Sequence, residues 1–356
     1  MVYDANSYVH DSDRAALKTL KAIPGFYQFI KGFTKIWSER QFRITNMSSC
    51  IRINEKQFSR YYDMLPPICE KLGIDIPELY LELDVVPNSY TAGDTKPFIV
   101  VTSGLFETLP EELIPTVLAH ECGHIACHHV LYTTMGKILL EGTTSAMRSA
   151  LSYGALAAMP LEISFYQWMR CSELSADRAA ALCDGGSDKM TELCMRLAGY
   201  DKDIDADASK EEFMVQAQEY REMIRNSKWD RTLEFLALRT KSHPLMAVRA
   251  LECEEWAKSE QFQKILDGTY LSETEIDPSE TLEELSGETE DVEKKSKAWL
   301  EFPRFKKKGK EDRKLDENTD EPLSVPDEIR KYKELLDDGI ITEDEFNAKK
   351  KQLLGL

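Results

Sequence analysis

The chain has 356 residues, 42% of them apolar, and a formal net charge of -18. That is enough apolar material for one large buried core with appendages, or for two domains, and the negative charge argues against a nucleic-acid binder held by phosphate contacts. The start, MVYDANSYVHDSDRAALKTL, places acidic residues where a secretory signal carries basic ones, with no apolar run behind them, so no export signal and a cytoplasmic location are expected.

Taken along the chain, residues 1–54 read as an N-terminal helical segment and 55–270 as the main domain, where apolar stripes alternate with turn residues. Leu81 to Val86 and Pro97 to Thr102 have the short, β-branched composition of strands, with Asn88 to Asp94 joining or partly extending the first. A short turn from Glu111 and a fresh helix start at Pro115 are predicted, since proline cannot supply the backbone donor of a continuing helix. The helix itself is predicted to run from Thr116 to Leu131. The uncharged stretch Ser149–Leu161 is too short to cross a bilayer, which takes roughly 20 apolar residues, and reads as a buried helix, so no transmembrane segment is expected. Eight scattered cysteines without a CxxC pair fit reduced core thiols.

Beyond residue 270 the composition changes. Residues 273–293 hold ten acidic residues and no basic one, and 304–314 then hold seven basic against two acidic, so 271–326 reads as a charged flexible linker. Trp299, Phe302 and Phe305 beside that basic run could meet an acidic surface, with a plain solvated linker the favoured reading. Helical spacing resumes at Ile329, Tyr332, Leu335 and Leu336, stops at Gly339, and restarts with a Thr342/Glu345 capping box, which makes 327–356 a helical hairpin.

The chemistry concentrates in His120-Glu121-Cys122-Gly123-His124, an HExxH pattern within the predicted helix. Residues four apart share a helix face, so both imidazoles can reach one zinc ion, with Glu121 alongside as a general base for the attacking water. Four of the six histidines, His120, His124, His128 and His129, fall within ten residues. A third ligand is offered by Glu173-Leu174-Ser175-Ala176-Asp177, where two carboxylates one turn apart can divide the work, one binding metal and the other orienting a ligand. His128 lies on the face of His124 but a further rise of about 6 Å along the helix, which disfavours it as a ligand. Val130 and Cys127 exclude the metzincin pattern, which needs histidine and glycine at those positions. Cys122 projects from a different face and is assigned to packing.

Over roughly residues 55–255 the sequence resembles the gluzincin metallopeptidases typified by the membrane heat-shock protease HtpX and the prenyl-protein CAAX endoprotease. The likeness rests on HECGH at 120–124, His129 after it, ELSAD at 173–177, Asn88-Ser89-Tyr90, and His243-Pro244 followed by Arg249. It implies an α+β, mainly helical, zincin-like domain with a small sheet beside the HExxH helix. It further implies one zinc ion held by His120, His124 and Glu173, Glu121 as base, and His243 stabilising the tetrahedral intermediate. Asp177, Arg249 and His129 would support the ligands, and Asn88, Ser89 and Tyr90 would bind substrate as an extended peptide. For Asn88 an ordinary turn residue, and for His243 a turn histidine before Pro244, are the competing readings. The interval 131–168 carries Lys137, Glu141, Arg148 and Glu162, unlike the membrane-embedded members, which points to a soluble relative acting on peptides or unfolded proteins. Residues 327–356 resemble the SHOCT module, which implies docking on a partner, on the enzyme domain or on a second copy.

A zinc-stabilised peptide-binding scaffold without turnover is the alternative; Glu121 speaks against it, because binding alone has no use for an acid/base group beside the first ligand. A latent enzyme held by its own acidic run 273–293 is a further alternative.

Overall fold

The computed structural model describes residues 1–270 apart from 24–25, 28, 31–32, 34–37, 94, 142–154, 202–203, 205–206 and 239–244. The predicted linker and hairpin therefore lie outside the described residues. Two compact units divide the chain, one comprising Met1–Glu219 with Leu238–Ser296 and the other Tyr220–Ala237 with Lys297–Leu356. In the second unit, the described residues include a hydrogen bond from the Tyr220 hydroxyl to Glu234.

In the first unit the elements that shape the site are α1 (Asp11–Lys21), α2 (Glu39–Ser49), β1 (Ile51–Ile53), α3 (Leu65–Leu72), β2 (Glu78–Glu82), β3 (Ser89–Ala92) and β4 (Phe98–Thr102). They are followed by α4 (Ile114–Ala126), α5 (Val130–Glu141), α6 (Ala155–Asp184), α7 (Asp188–Leu197) and α8 (Met246–Ala257). The result is the expected mainly helical α+β domain with a small sheet. Among the described residues, no helix is long and apolar enough to cross a membrane.

The sheet runs β1-β2-β4-β3, with β2 and β4 parallel and the other pairs antiparallel. Every residue of β4 is buried, because both faces of the sheet are covered. Leu79, Ile99 and Val101 join the main core against the helices, while Tyr80, Phe98 and Val100 pack with Ala92 and Phe42 of α2 on the opposite face. The first predicted strand is shifted. Pairing with β4 occupies Glu78–Glu82, and the chain then leaves the sheet, exposing Leu83, Val85 and Val86. The β-branched Val85 and Val86 raise strand propensity without supplying a partner.

The segment after this exposed turn forms a strand of its own. The Thr102 hydroxyl accepts from the Asn88 backbone N–H at 2.9 Å and donates to the Val86 carbonyl at 2.8 Å, which pins the entry to β3. The same oxygen caps the helix Ser103–Thr108 by accepting from Leu105 N–H. In the register with β4, Ser89 and Thr91 oppose Val101 and Ile99, so alternation turns their side chains towards α4.

A 3-10 turn at Glu111–Leu113 precedes α4, and Pro115 sits in its first turn, as predicted. The helix stops five residues earlier than its composition suggested. His128 adopts φ 57°, with its N–H bonded to the Ile125 carbonyl at 3.0 Å and the His129 N–H bonded to the His124 carbonyl at 2.9 Å. Those two bonds are a Schellman ending, built here on histidine in the left-handed position that glycine usually takes. It turns His129 inward beside the helix and leaves His128 exposed.

Helix α4 is buried along nearly its whole length and lies directly against α6. A side chain at Gly123 would place its Cβ 2.7 Å from the Ala179 Cβ and 3.1 Å from the Ala176 Cα. The absence of a side chain there allows the close approach. A second apolar cluster joins the N-terminal segment to α5 and α6 through Leu20, Phe26, Phe29, Met135, Phe165 and Trp168.

Gly123→Ala is expected to destabilise the protein by about 1–3 kcal/mol in urea denaturation, since overpacking outweighs the helix-propensity gain. His128→Gly is expected to leave stability unchanged or raise it by up to about 1 kcal/mol in the same assay, because glycine removes the left-handed strain.

Candidate metal centre

Helix α4 presents His120 and His124 one turn apart, and α6 brings Glu173 to meet them, all three buried. The His120 Nε2 lies 3.5 Å from Glu173 Oε2 and the His124 Nε2 lies 3.5 Å from Glu173 Oε1. Ligand atoms about 2.0–2.1 Å from a tetrahedral ion stand about 3.3–3.4 Å from one another. One donor atom from each residue falls within 4.8 Å of the others, the one such set found among the described residues. Two imidazoles and one carboxylate at this spacing suit a divalent ion of borderline softness.

Each imidazole is held from behind. The His120 Nδ1 lies 2.9 Å from Asp177 Oδ1, and Asp177 receives two bonds from Arg249, Nη2 to Oδ1 at 2.6 Å and Nε to Oδ2 at 2.8 Å. Arg249 Nη1 also reaches Glu173 Oε2 at 3.3 Å. Burial disfavours the charged Asp177, but the guanidinium of Arg249 and the bond to His120 hold its carboxyl below the usual value. Burial likewise disfavours a charged His120, yet the bonds to Asp177 and Glu173 push its imidazole up to about 9. For His124 burial dominates, and its titration falls below the ordinary value.

His124 is backed by a longer chain of contacts. Its Nδ1 lies 3.0 Å from the His129 Nδ1, and the His129 Nε2 lies 2.8 Å from Asp13 Oδ2 on α1. Asp13 also accepts from Ser175 Oγ at 2.6 Å and from Trp168 Nε1 at 2.9 Å. Burial works against its charge, and the His129, Ser175 and Trp168 contacts together hold its carboxyl below the usual value.

Glu121 faces β3. Its Oε1 accepts from Ser89 Oγ and its Oε2 from Thr91 Oγ1, both at 2.6 Å. A cleft of about 210 Å³ opens over these residues, with Val117, Leu193, Leu197 and Met246 among its apolar walls. Tyr90 lines it under Lys137, whose Nζ stands 4.4 Å from the ring centroid.

The structure thus brings together His120, His124, Glu173, Glu121, Asp177, Arg249, His129 and Ser89, with Asn88 and Tyr90 at the rim of the same cleft. His243 lies outside the described residues. Thr91, Asp13, Ser175 and Trp168 were not singled out from the sequence. Thr91 could have been found from strand alternation with Ser89, and Ser175 lies between the two carboxylates of ELSAD, but no local pattern ties Asp13 or Trp168 to a histidine more than thirty residues away.

A helix with two histidines four residues apart, a glutamate between them and a carboxylate from a neighbouring helix defines a gluzincin-type metallopeptidase. Residues 68–257, more than half the chain, match the model for peptidase family M48, and the chain belongs to that family of metallopeptidases. Residues 327–354 match the short C-terminal domain, SHOCT. The chain is 31% identical over 273 residues to the plastoglobule-localized metallopeptidase 48, chloroplastic, of Arabidopsis thaliana, covering 74% of this chain and 76% of that protein. It is 24% identical over 176 residues to a protease HtpX homolog of Campylobacter concisus, covering 43% of this chain and 61% of that protein. A protease HtpX homolog of Ralstonia pickettii is 22% identical over 177 residues, covering 44% of this chain and 62% of that protein. The match thus spans less than two thirds of either HtpX homolog. No solved structure matches.

Asp177→Asn is expected to lower zinc affinity about 10–100-fold, as loss of a partner behind a ligand histidine does. The buried Arg249 would then lean on Glu173 and draw that carboxylate from the metal. Competition titration with a chromogenic chelator checks the affinity.

Proposed function

We propose that this chain is a zinc-dependent metalloendopeptidase that hydrolyses peptide bonds in peptides or in unfolded or misfolded proteins. The observation that carries the reading is the convergence of His120, His124 and Glu173 at tetrahedral spacing, with the Glu121 carboxylate on the adjoining turn. One zinc ion per chain would be held by those three residues. When bound, zinc supplies Lewis acidity that acidifies water and polarises a carbonyl near neutral pH.

The chain's own residues do the rest. Glu121 takes the proton from the attacking water at a carboxylate oxygen and later passes it to the leaving amine. Ser89 and Thr91 hold that carboxylate by one hydroxyl on each oxygen, which limits its rotation between the two proton transfers. Asp177, kept charged by Arg249, orients the His120 ring, and His129 does so for His124. His243 is assigned to the tetrahedral intermediate on the family resemblance.

Among the described residues β3 is an edge strand, with β4 on one side. An extended substrate segment would add to its open edge near Asn88–Thr91 through backbone hydrogen bonds. Recognition through the backbone favours chain segments that are not already folded. The apolar walls at Leu193, Leu197 and Met246 would receive an apolar side chain next to the scissile bond. Residues 271–326 are read as a charged linker to the hairpin at 327–356, which would dock a partner or a second copy.

In new N-terminus profiling by mass spectrometry, a lysate treated with the zinc-loaded protein should gain termini that are absent with Glu121→Gln. Termini with an apolar residue beside the cut are expected. Identical profiles for the two proteins, each carrying one zinc, would remove the peptidase reading.

A further inference from the structure

We infer that Asp13, on the N-terminal helix α1, is a positioning residue that sets the tautomer of His129 and, through it, of the metal-ligating His124. The inference rests on His124 being a zinc ligand. Both Glu173 oxygens meet Nε2 atoms, so His124 faces the metal position with Nε2 and carries its proton on Nδ1. Among the described residues the partner for that proton is His129 Nδ1 at 3.0 Å, which must accept and therefore carries no proton on that nitrogen. A neutral His129 then carries its proton on Nε2, directed at Asp13 Oδ2 at 2.8 Å. Each bond in the relay dictates the next, and the relay ends on a carboxylate because only an acceptor can end it.

The surroundings of Asp13 enforce that role. Ser175 donates to Oδ2 and Trp168 to Oδ1, so all three neighbours present hydrogens and the group between them must be acceptor-only. Ser175 itself accepts from the His10 backbone N–H at 3.0 Å, which fixes the direction of its hydroxyl towards Asp13 and ties α1 to α6. Asp13 is 2% exposed, so water does not substitute for a lost acceptor. On its Nδ1 side His120 meets a carboxylate directly in Asp177, whereas His124 on that side is joined to one through His129 and α1. Asp13 precedes the family match at 68–257 by more than fifty residues, so the N-terminal segment completes a site whose metal ligands all lie within that match.

An amide at position 13 cannot satisfy these three donors. With its nitrogen towards His129, Asp13→Asn would drive the His129 proton to Nδ1, against the His124 N–H. With its nitrogen towards Trp168, two donors would face each other in the core while the amide oxygen still accepted from His129, so an apolar residue, not an amide, is what removes the acceptor.

The test is made on the full chain with zinc. In ¹⁵N-histidine NMR of the wild-type protein, His124 should carry its proton on Nδ1 and His129 on Nε2. Asp13→Leu, which leaves the His129 Nε2–H without an acceptor, should lower zinc affinity about 10–100-fold in a chelator competition, with KM for a peptide substrate unchanged at saturating zinc. Trp168→Phe, which removes a donor to Asp13 but keeps the acceptor for His129, should lose stability and keep zinc affinity within about twofold. The inference is overturned by the opposite His129 tautomer in the wild-type protein, a readout that survives even if Asp13→Leu does not fold. It is also overturned if Asp13→Leu binds zinc as the wild type does, or no worse than Trp168→Phe. A wild-type chain that binds no zinc would instead remove the metallopeptidase reading on which the inference rests.

Discussion

Everything in the catalytic unit depends on one close helix crossing. Glu173 can meet His120 and His124 at 3.5 Å only if α6 lies almost against the backbone of α4, and Gly123 opposite Ala176 and Ala179 is what permits it. The HExxH pattern brings His120 and His124 to one face by helix periodicity alone, but Glu173 arrives through packing. Small residues at the crossing are therefore as much a part of the candidate metal centre as the three side chains that meet there.

The crossing also explains why the site is so heavily braced. Two imidazoles and two carboxylates buried together would each titrate towards neutrality or repel one another if left without partners. Arg249, itself 4% exposed, supplies the compensating charge, bonded to Asp177 at 2.6 and 2.8 Å and close to Glu173. On the other side the His129–Asp13 chain supports His124. The two histidines thus sit in different electrostatic surroundings, one pushed up by carboxylates and the other pulled down by burial.

Glu121 is governed by the sheet instead of the helix pair. Because β3 is antiparallel to β4, alternation puts Ser89 and Thr91 on the α4 side and Tyr90 on the other, and the Thr102 hydroxyl fixes where the strand begins. The strand proposed to hold the substrate is thereby the strand that holds Glu121. On the proposed function, a displacement of β3 would alter peptide binding and proton transfer together, through two 2.6 Å hydrogen bonds.

The sequence by itself determined what local periodicity encodes. His120, Glu121 and His124 were legible because a helix brings residues four apart to one face, Glu173 and Asp177 for the same reason, and the start of α4 because Pro115 admits few alternatives. The strand at Phe98–Thr102 was legible from its continuous β-branched run. The tertiary structure decided the rest. Leu83 to Val86 leave the sheet because a strand needs a partner and not only propensity, and α4 ends early because a left-handed histidine closes it with two long-turn hydrogen bonds. Asp13 joins His129 across more than a hundred residues because α1 packs on α6, a contact that carries no signature in either segment. Bonds between neighbours on one element follow from its repeat, whereas bonds between distant elements follow from how their buried faces fit.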